Sequence, residues 1–177
     1  MQRSLRSFLA LGALALVATT AQAQVLSNTP TVTLNATQLP TLTVTVSTPS
    51  VSIASLNVGN NDFPGVNVTT AWNLGTAGTL QLVGWFAVPA AALSDGGTNN
   101  IPSSSVLGQV NGGTYTAFTG AAVGGVGVAG GSLSLFSAAV GVGIGNRVDA
   151  LGLRLALASA PPAGAYTGTL NLRAIVQ

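Results

Sequence analysis

Past its N-terminal segment, the only side chains of this sequence able to carry charge-based chemistry are Asp62, Asp95, Asp149, Arg147, Arg154 and Arg173. The remaining two arginines are Arg3 and Arg6, and Lys, Glu, His and Cys are absent. A Ser-His, Cys-His or Ser-Lys nucleophile therefore cannot be built, and zinc or other transition-metal sites lack their usual ligands. A two-carboxylate hydrolase would need two of the three aspartates to converge, yet none stands in an active-loop context such as Asp-Thr-Gly. Blander roles are at hand. Asp62 and Asp95 sit at Gly/Pro turns, where Asp bonds its own backbone, and Asp149 is in reach of Arg147 or Arg154 along the chain. Asn60, Asn61 and Asp62 put oxygen donors on one loop, but a single carboxylate is a weak cage for Ca²⁺. Residues 125–130 spell G-x-G-x-x-G without the strand, helix start or later acidic residue that would make the letters a dinucleotide site. Three cations are too few for the converging phosphate contacts of nucleic-acid binding. The sequence thus predicts no enzyme, no catalytic, cofactor-binding or metal-ligating residue, no cofactor and no nucleic-acid partner.

The formal charge of +2 and pI near 10.0 come from Arg3 and Arg6. These form the positive start of an export signal, followed by an apolar run over 8–18 and the small-x-small site Ala21-Gln22-Ala23. The run is too short to span a bilayer, and no Cys follows it for a lipid anchor. The organisation expected is a signal peptide over 1–23, an N-terminal extension over 24–47 and one domain over 48–177. The mature protein would be secreted or held at a bacterial cell surface, without stable membrane insertion. Its three Arg and three Asp cancel, and with no Cys its stability rests on burial, hydrogen bonds or association.

The elements that must position these residues repeat with a period of two. Leu42, Val44 and Val46 alternate with Thr41, Thr43 and Thr45; Val66, Val68, Thr70, Trp72 and Leu74 alternate with polar or small residues. Leu80, Leu82, Phe86 and Val88 share a face, as do Leu151, Leu153, Leu155 and Leu157, and as do Tyr166, Gly168, Leu170, Leu172, Ala174 and Val176 in a final strand. Weaker strands are expected over 51–58, 105–110, 114–118 and 132–140. Turns fall at Asn60-Asn61-Asp62 with Pro64-Gly65, Asp95-Gly96-Gly97, Asn111-Gly112-Gly113, Asn146 and Pro161-Pro162-Ala163-Gly164. Only residues 89–94 could make a helical turn. The glycine tract over 120–131 reads as a flexible surface loop or, alternatively, a self-associating or close-contact segment. The fold class is all-β, an Ig-like antiparallel β-sandwich of about seven to eight strands behind a cleaved signal peptide.

Soluble β-proteins guard sheet edges with Lys or inward charge, and this sequence has no Lys. Its edges must be covered or paired, by sister subunits or by self-association. The strand of Leu42, Val44 and Val46 is the candidate assembly strand, with Val32 and Leu34 upstream as the alternative. Alternation alone leaves open whether that strand completes its own sheet or a neighbour's. Trp72, Trp85, Tyr115 and Tyr166 could instead form a sugar-stacking platform, although Trp72 shares a face with Val66, Val68 and Leu74. A small outer-membrane barrel is a further class, at odds with 5% aromatic residues.

The stretch Pro162-Ala163-Gly164-Ala165-Tyr166-Thr167-Gly168-Thr169-Leu170-Asn171-Leu172 resembles the ending of secreted spore coat protein U and fimbrial-subunit-like domains. The body, including WNLGTAGTLQLVGWF, is similar to an uncharacterised group of secreted proteins from soil bacteria. The first resemblance implies an Ig-like sandwich assembled by chaperone and usher, a last strand that is the sixth, and a seventh supplied by a neighbour's extension. It also makes Tyr166 a structural corner, its hydroxyl bonded to backbone on entry to the last strand. The Cys typical of the first strand of spore coat U domains is absent here. The expected function is a non-catalytic exported structural or surface-assembly subunit, pilus-like or coat-like; the alternative is a secreted binding module, for instance for carbohydrate.

Overall fold

A computed structural model describes residues 28–177 of the chain, so the expected signal peptide lies outside the described residues. The chain divides into Met1–Ala36 and a compact unit Thr37–Gln177. Within the first, residues 28–36 form no strand or helix and are exposed.

The compact unit is an all-β antiparallel sandwich. Eleven strands follow one another: β1 (Thr41–Val46), β2 (Gly59–Asp62), β3 (Val66–Leu74), β4 (Gly78–Trp85), β5 (Leu93–Ser94), β6 (Asn100–Ile101), β7 (Val106–Val110), β8 (Thr116–Ala117), β9 (Ser132–Val140), β10 (Gly143–Leu157) and β11 (Asn171–Val176). Eight of them run four residues or longer. The first sheet has the order β1-β3-β10-β7-β8, with β2 also pairing β10; the second is β11-β4-β9; β5 and β6 make a small hairpin. Two 3-10 turns, Pro89–Ala91 and Ser103–Ser105, are the only helical elements among the described residues, and none is long and apolar enough to cross a membrane.

The period-two faces meet between the sheets. Val68, Leu80, Leu82, Leu151 and Ala174 form one buried cluster, against which Leu42, Val44, Trp72, Leu172 and Val176 pack. Fully burying each large aliphatic side chain contributes roughly 1.5–3 kcal/mol. A second cluster gathers Phe86, Leu93, Ile101, Val106, Phe118, Leu155 and Leu157. It lies under the far half of β10, where β2 and β7 flank that strand and Leu133 and Leu135 of β9 pack against it. One polar group is left out of this packing: Thr70, fully buried, has a hydroxyl with no partner. Thr70→Val removes that uncompensated group at nearly constant volume and is expected to stabilise the domain by about 1 kcal/mol, read as a higher urea midpoint.

Several expectations are corrected. Residues 51–58 do not form a strand, because 48–56 meets no neighbouring strand with which to exchange bonds, and the final strand begins at Asn171 instead of Tyr166, because 166–170 meets β5 at the single bridge of Thr167 to Ser94. The β10 strand starts at Gly143, eight residues before its leucine face, with Gly145, Arg147 and Asp149 on its inner side; it runs through Asn146, where a turn was expected, and the turn expected at Asn60-Asn61-Asp62 is strand β2 paired to it. The glycine tract is a hydrogen-bonded close-contact loop, not a loose one. Val123 and Val126 exchange backbone bonds, the Ser132 hydroxyl joins both main-chain groups of Val128, Ser103 donates to Gly130, and Val126 is buried.

Candidate assembly site

The segment 48–56 leaves β1 and the segment 161–170 leads into β11; among the described residues, 48–56 makes no backbone hydrogen bond. Thr167 is tied to Ser94 by two bonds of 2.8 and 2.9 Å, which holds the second segment at one point. At Gly168 a side chain would collide with the Ala92 carbonyl, so only glycine lets the chain lie there. Between the two segments opens a groove of about 970 Å³. Val66, Phe86, Leu93, Val106, Leu151 and Leu155 form its buried floor, and Val51, Ile53, Tyr166 and Leu170 stand along its sides. No Asp or Arg lines it. An apolar floor flanked by main chain outside any ladder is the chemistry that receives an extended strand: backbone groups need partners and alternate side chains need pockets.

Tyr166 sits on the groove wall, and its hydroxyl donates to the Pro162 carbonyl at 3.1 Å. Burial, and then the negative charge of Asp95, push its phenol above the ordinary tyrosine value. The bond closes the turn that carries 162–166 and so shapes the mouth of the groove.

Of the expected assembly strand, Leu42 and Val44 turn half-buried side chains into the core, and Val46, 40% exposed, ends the strand beside the groove. β1 pairs with β3 of its own sheet over the full Thr41–Val46 span. The Ser47 amide donates to the Asn67 carbonyl at 2.8 Å, which fixes the phase of the ladder. Thr41, Thr43 and Thr45 therefore direct their main-chain groups to β3, while those of Leu42, Val44 and Val46 point to the open side. Upstream, Val32, Leu34 and Leu39 are 82%, 89% and 70% exposed.

Five of the six charged residues are committed elsewhere, and Arg173 is exposed on β11. Asp149, buried to 1% exposure, accepts from Arg147 at 2.5 and 2.7 Å and from the Asn111 amide at 2.8 Å. Burial alone would raise its pKa, but the Arg147 and Asn111 hydrogen bonds outweigh it and hold the carboxyl below the ordinary range. The same bonding raises Arg147, whose guanidinium also lies 3.7 Å over the Phe136 ring. Asp62 departs from the turn role expected of it: it ends β2 and pairs with Arg154, at 2.5 and 3.0 Å, which lowers its pKa. Asp95 does cap its own turn, accepting from Asn99 and Gly97, and is lowered in consequence. Asn61 is buried and bonded to Asn57 and Gly59, while Asn60 and Asp62 are exposed, so the three oxygens do not share a face for Ca²⁺. Among the described residues no three metal-ligating side chains cluster. Trp72 and Trp85 are half-buried, and the Trp72 indole covers Gly145 of β10. Tyr115 has its ring face occupied by Arg154 at 4.0 Å.

The groove was not foreseen from sequence. Its signal was present as the alternating Val51 and Ile53 and the Pro-Pro-Ala-Gly break at 161–164, read instead as a strand and a hairpin turn. No protein-family model, curated protein or solved structure matches this chain.

Proposed function

We propose that this protein is a non-catalytic, exported structural subunit, pilus-like or coat-like, that joins its neighbours by strand addition. The groove accepts the strand, and the 28–36 segment of the next copy supplies it through Val32 and Leu34. The observation that carries the reading is the uncharged groove of about 970 Å³ with main chain along its walls that enters no ladder. The exposed Thr31-Val32-Thr33-Leu34 sequence provides the required period: two apolar side chains two residues apart reach one face, and the backbone bonds to the walls. A contact from one end of a copy to the groove of the next is heterologous and builds a ring or an open filament of many copies. Deleting residues 24–36 leaves the compact unit from Thr37 whole. Light scattering after size exclusion is expected to show assemblies beyond a dimer for the undeleted chain and none for the deletion; identical profiles would remove the reading.

A further inference from the structure

We propose that the outer edge of β1 pairs antiparallel with β1 of a second copy, about a twofold axis through Val44. This is a different surface from the groove, and it stands if the groove reading fails.

Free strand edges invite pairing, and proteins blunt them with charge, bulges or brevity. Every other free edge of this domain is blunted. Beyond the end of β7, β10 carries Arg147 and Asp149 turned inward. On β9 the ladder to β4 is broken by a register shift at Leu82/Val83, and Gly120 bridges its first residue. The outer edge of β11 has the exposed Arg173 at its middle. The strands β2 and β8 are four and two residues long, and β2 ends in Asp62. Only β1 offers six unbroken residues with no charge, no Pro and no bulge.

The open groups of β1 belong to Leu42, Val44 and Val46, and this decides the register. An antiparallel pair needs the open residues of both strands opposite one another. Setting Val44 opposite Val44 of the second copy places Leu42 opposite Val46 and Val46 opposite Leu42, giving three hydrogen-bonded pairs and about six bonds. The same register puts Thr43 opposite Thr45 on the exposed face, a favourable cross-strand pair, and extends the apolar inner face across the axis. β1 itself brings no like charge to the pairing; the exposed Arg173 stands on β11, which lies beside it. The interface is isologous and closes as a dimer.

The chain has no Cys, so introduced thiols report cleanly. In this register Thr43 and Thr45 form non-hydrogen-bonded pairs with Cα atoms about 4.5 Å apart, within disulfide range. Whole-chain T43C and T45C variants, mixed and oxidised, are expected to form the 43–45 cross-linked dimer at least tenfold more than either variant alone. A mixture that cross-links no better than the single variants overturns the proposal. As a second measurement, T43K/T45K adds like charges on an exposed face without touching the core. In the 24–36 deletion it is expected to convert dimer to monomer with the thermal transition retained, and a persisting dimer would overturn the edge pairing. A deletion variant that still forms long assemblies would instead count against the groove reading.

Discussion

Phe118→Ala is expected to cost about 3 to 5 kcal/mol of folding stability, the range for deleting a buried aromatic ring. The side chain is fully buried and meets Phe86 edge-on at 5.2 Å between centroids. Its seat is made by two glycines on different sheets: a Cβ at Gly84 would lie 3.0 Å from the ring and one at Gly108 3.1 Å from it. Side-chain-free backbone on both sides cannot move in to fill the space, so little of the cavity collapses. Phe118 also marks the start of the glycine loop, which packs onto the same half of the domain. Against a usual total of 5–15 kcal/mol, such a loss leaves a barely folded protein. Urea unfolding checks this, and a loss under about 1.5 kcal/mol would mean the seat is not rigid.

Arg147→Met has the second large effect. Methionine keeps much of the stem that lies over Phe136 but leaves the Asp149 carboxylate buried with one amide donor, Asn111. Breaking a fully buried pair costs 3–5 kcal/mol; because 29% of the Arg147 side chain is exposed, about 2 to 3 kcal/mol is expected. The double variant R147M/D149N removes the stranded charge and should be more stable than R147M. The pH dependence separates the two proteins. In the native chain the Asp149 pKa is depressed, so the contribution of the pair is complete above the unfolded value near 3.9 and is lost as pH falls through the lower folded value. In R147M burial dominates and raises that pKa, so the penalty is present at neutral pH and is relieved as pH falls toward the unfolded value. Urea midpoints between pH 7 and pH 4 should rise on acidification for R147M relative to the native chain, and parallel curves would contradict the account.

The strands most legible in the sequence were those with apolar residues on one face. Alternation marked β1 and β3 to the residue, because their inner positions are Leu, Val and Trp. It missed the first half of β10 for a physical reason. The inner positions there are Gly145, Arg147 and Asp149, which are satisfied by a covering indole, an aromatic face and an amide from the β7 turn. A buried ion pair erases the alternation that betrays a strand. The turn Asn111-Gly112 was visible from its residue types and has the positive φ they favour, 52° and 73°. Its coupling to Asp149 through the Asn111 side chain depends on contacts 38 residues apart, beyond any local pattern. Residues 51–58 and 166–170 look like strands because they alternate. The first lacks a neighbouring strand and the second meets one only where Thr167 bridges Ser94, and pattern says nothing about neighbours.

The groove proposed to accept a strand is put to the test by amide hydrogen exchange at its walls. The peptide of residues 29–38 is titrated into the chain lacking 24–36, and exchange is followed over residues 48–56 and 168–170. The account predicts that amides in both segments slow when the peptide binds, and that a peptide with V32D and L34D has no effect. Unchanged exchange in both segments at saturating native peptide, or protection confined to the opposite side of the sandwich, would contradict it.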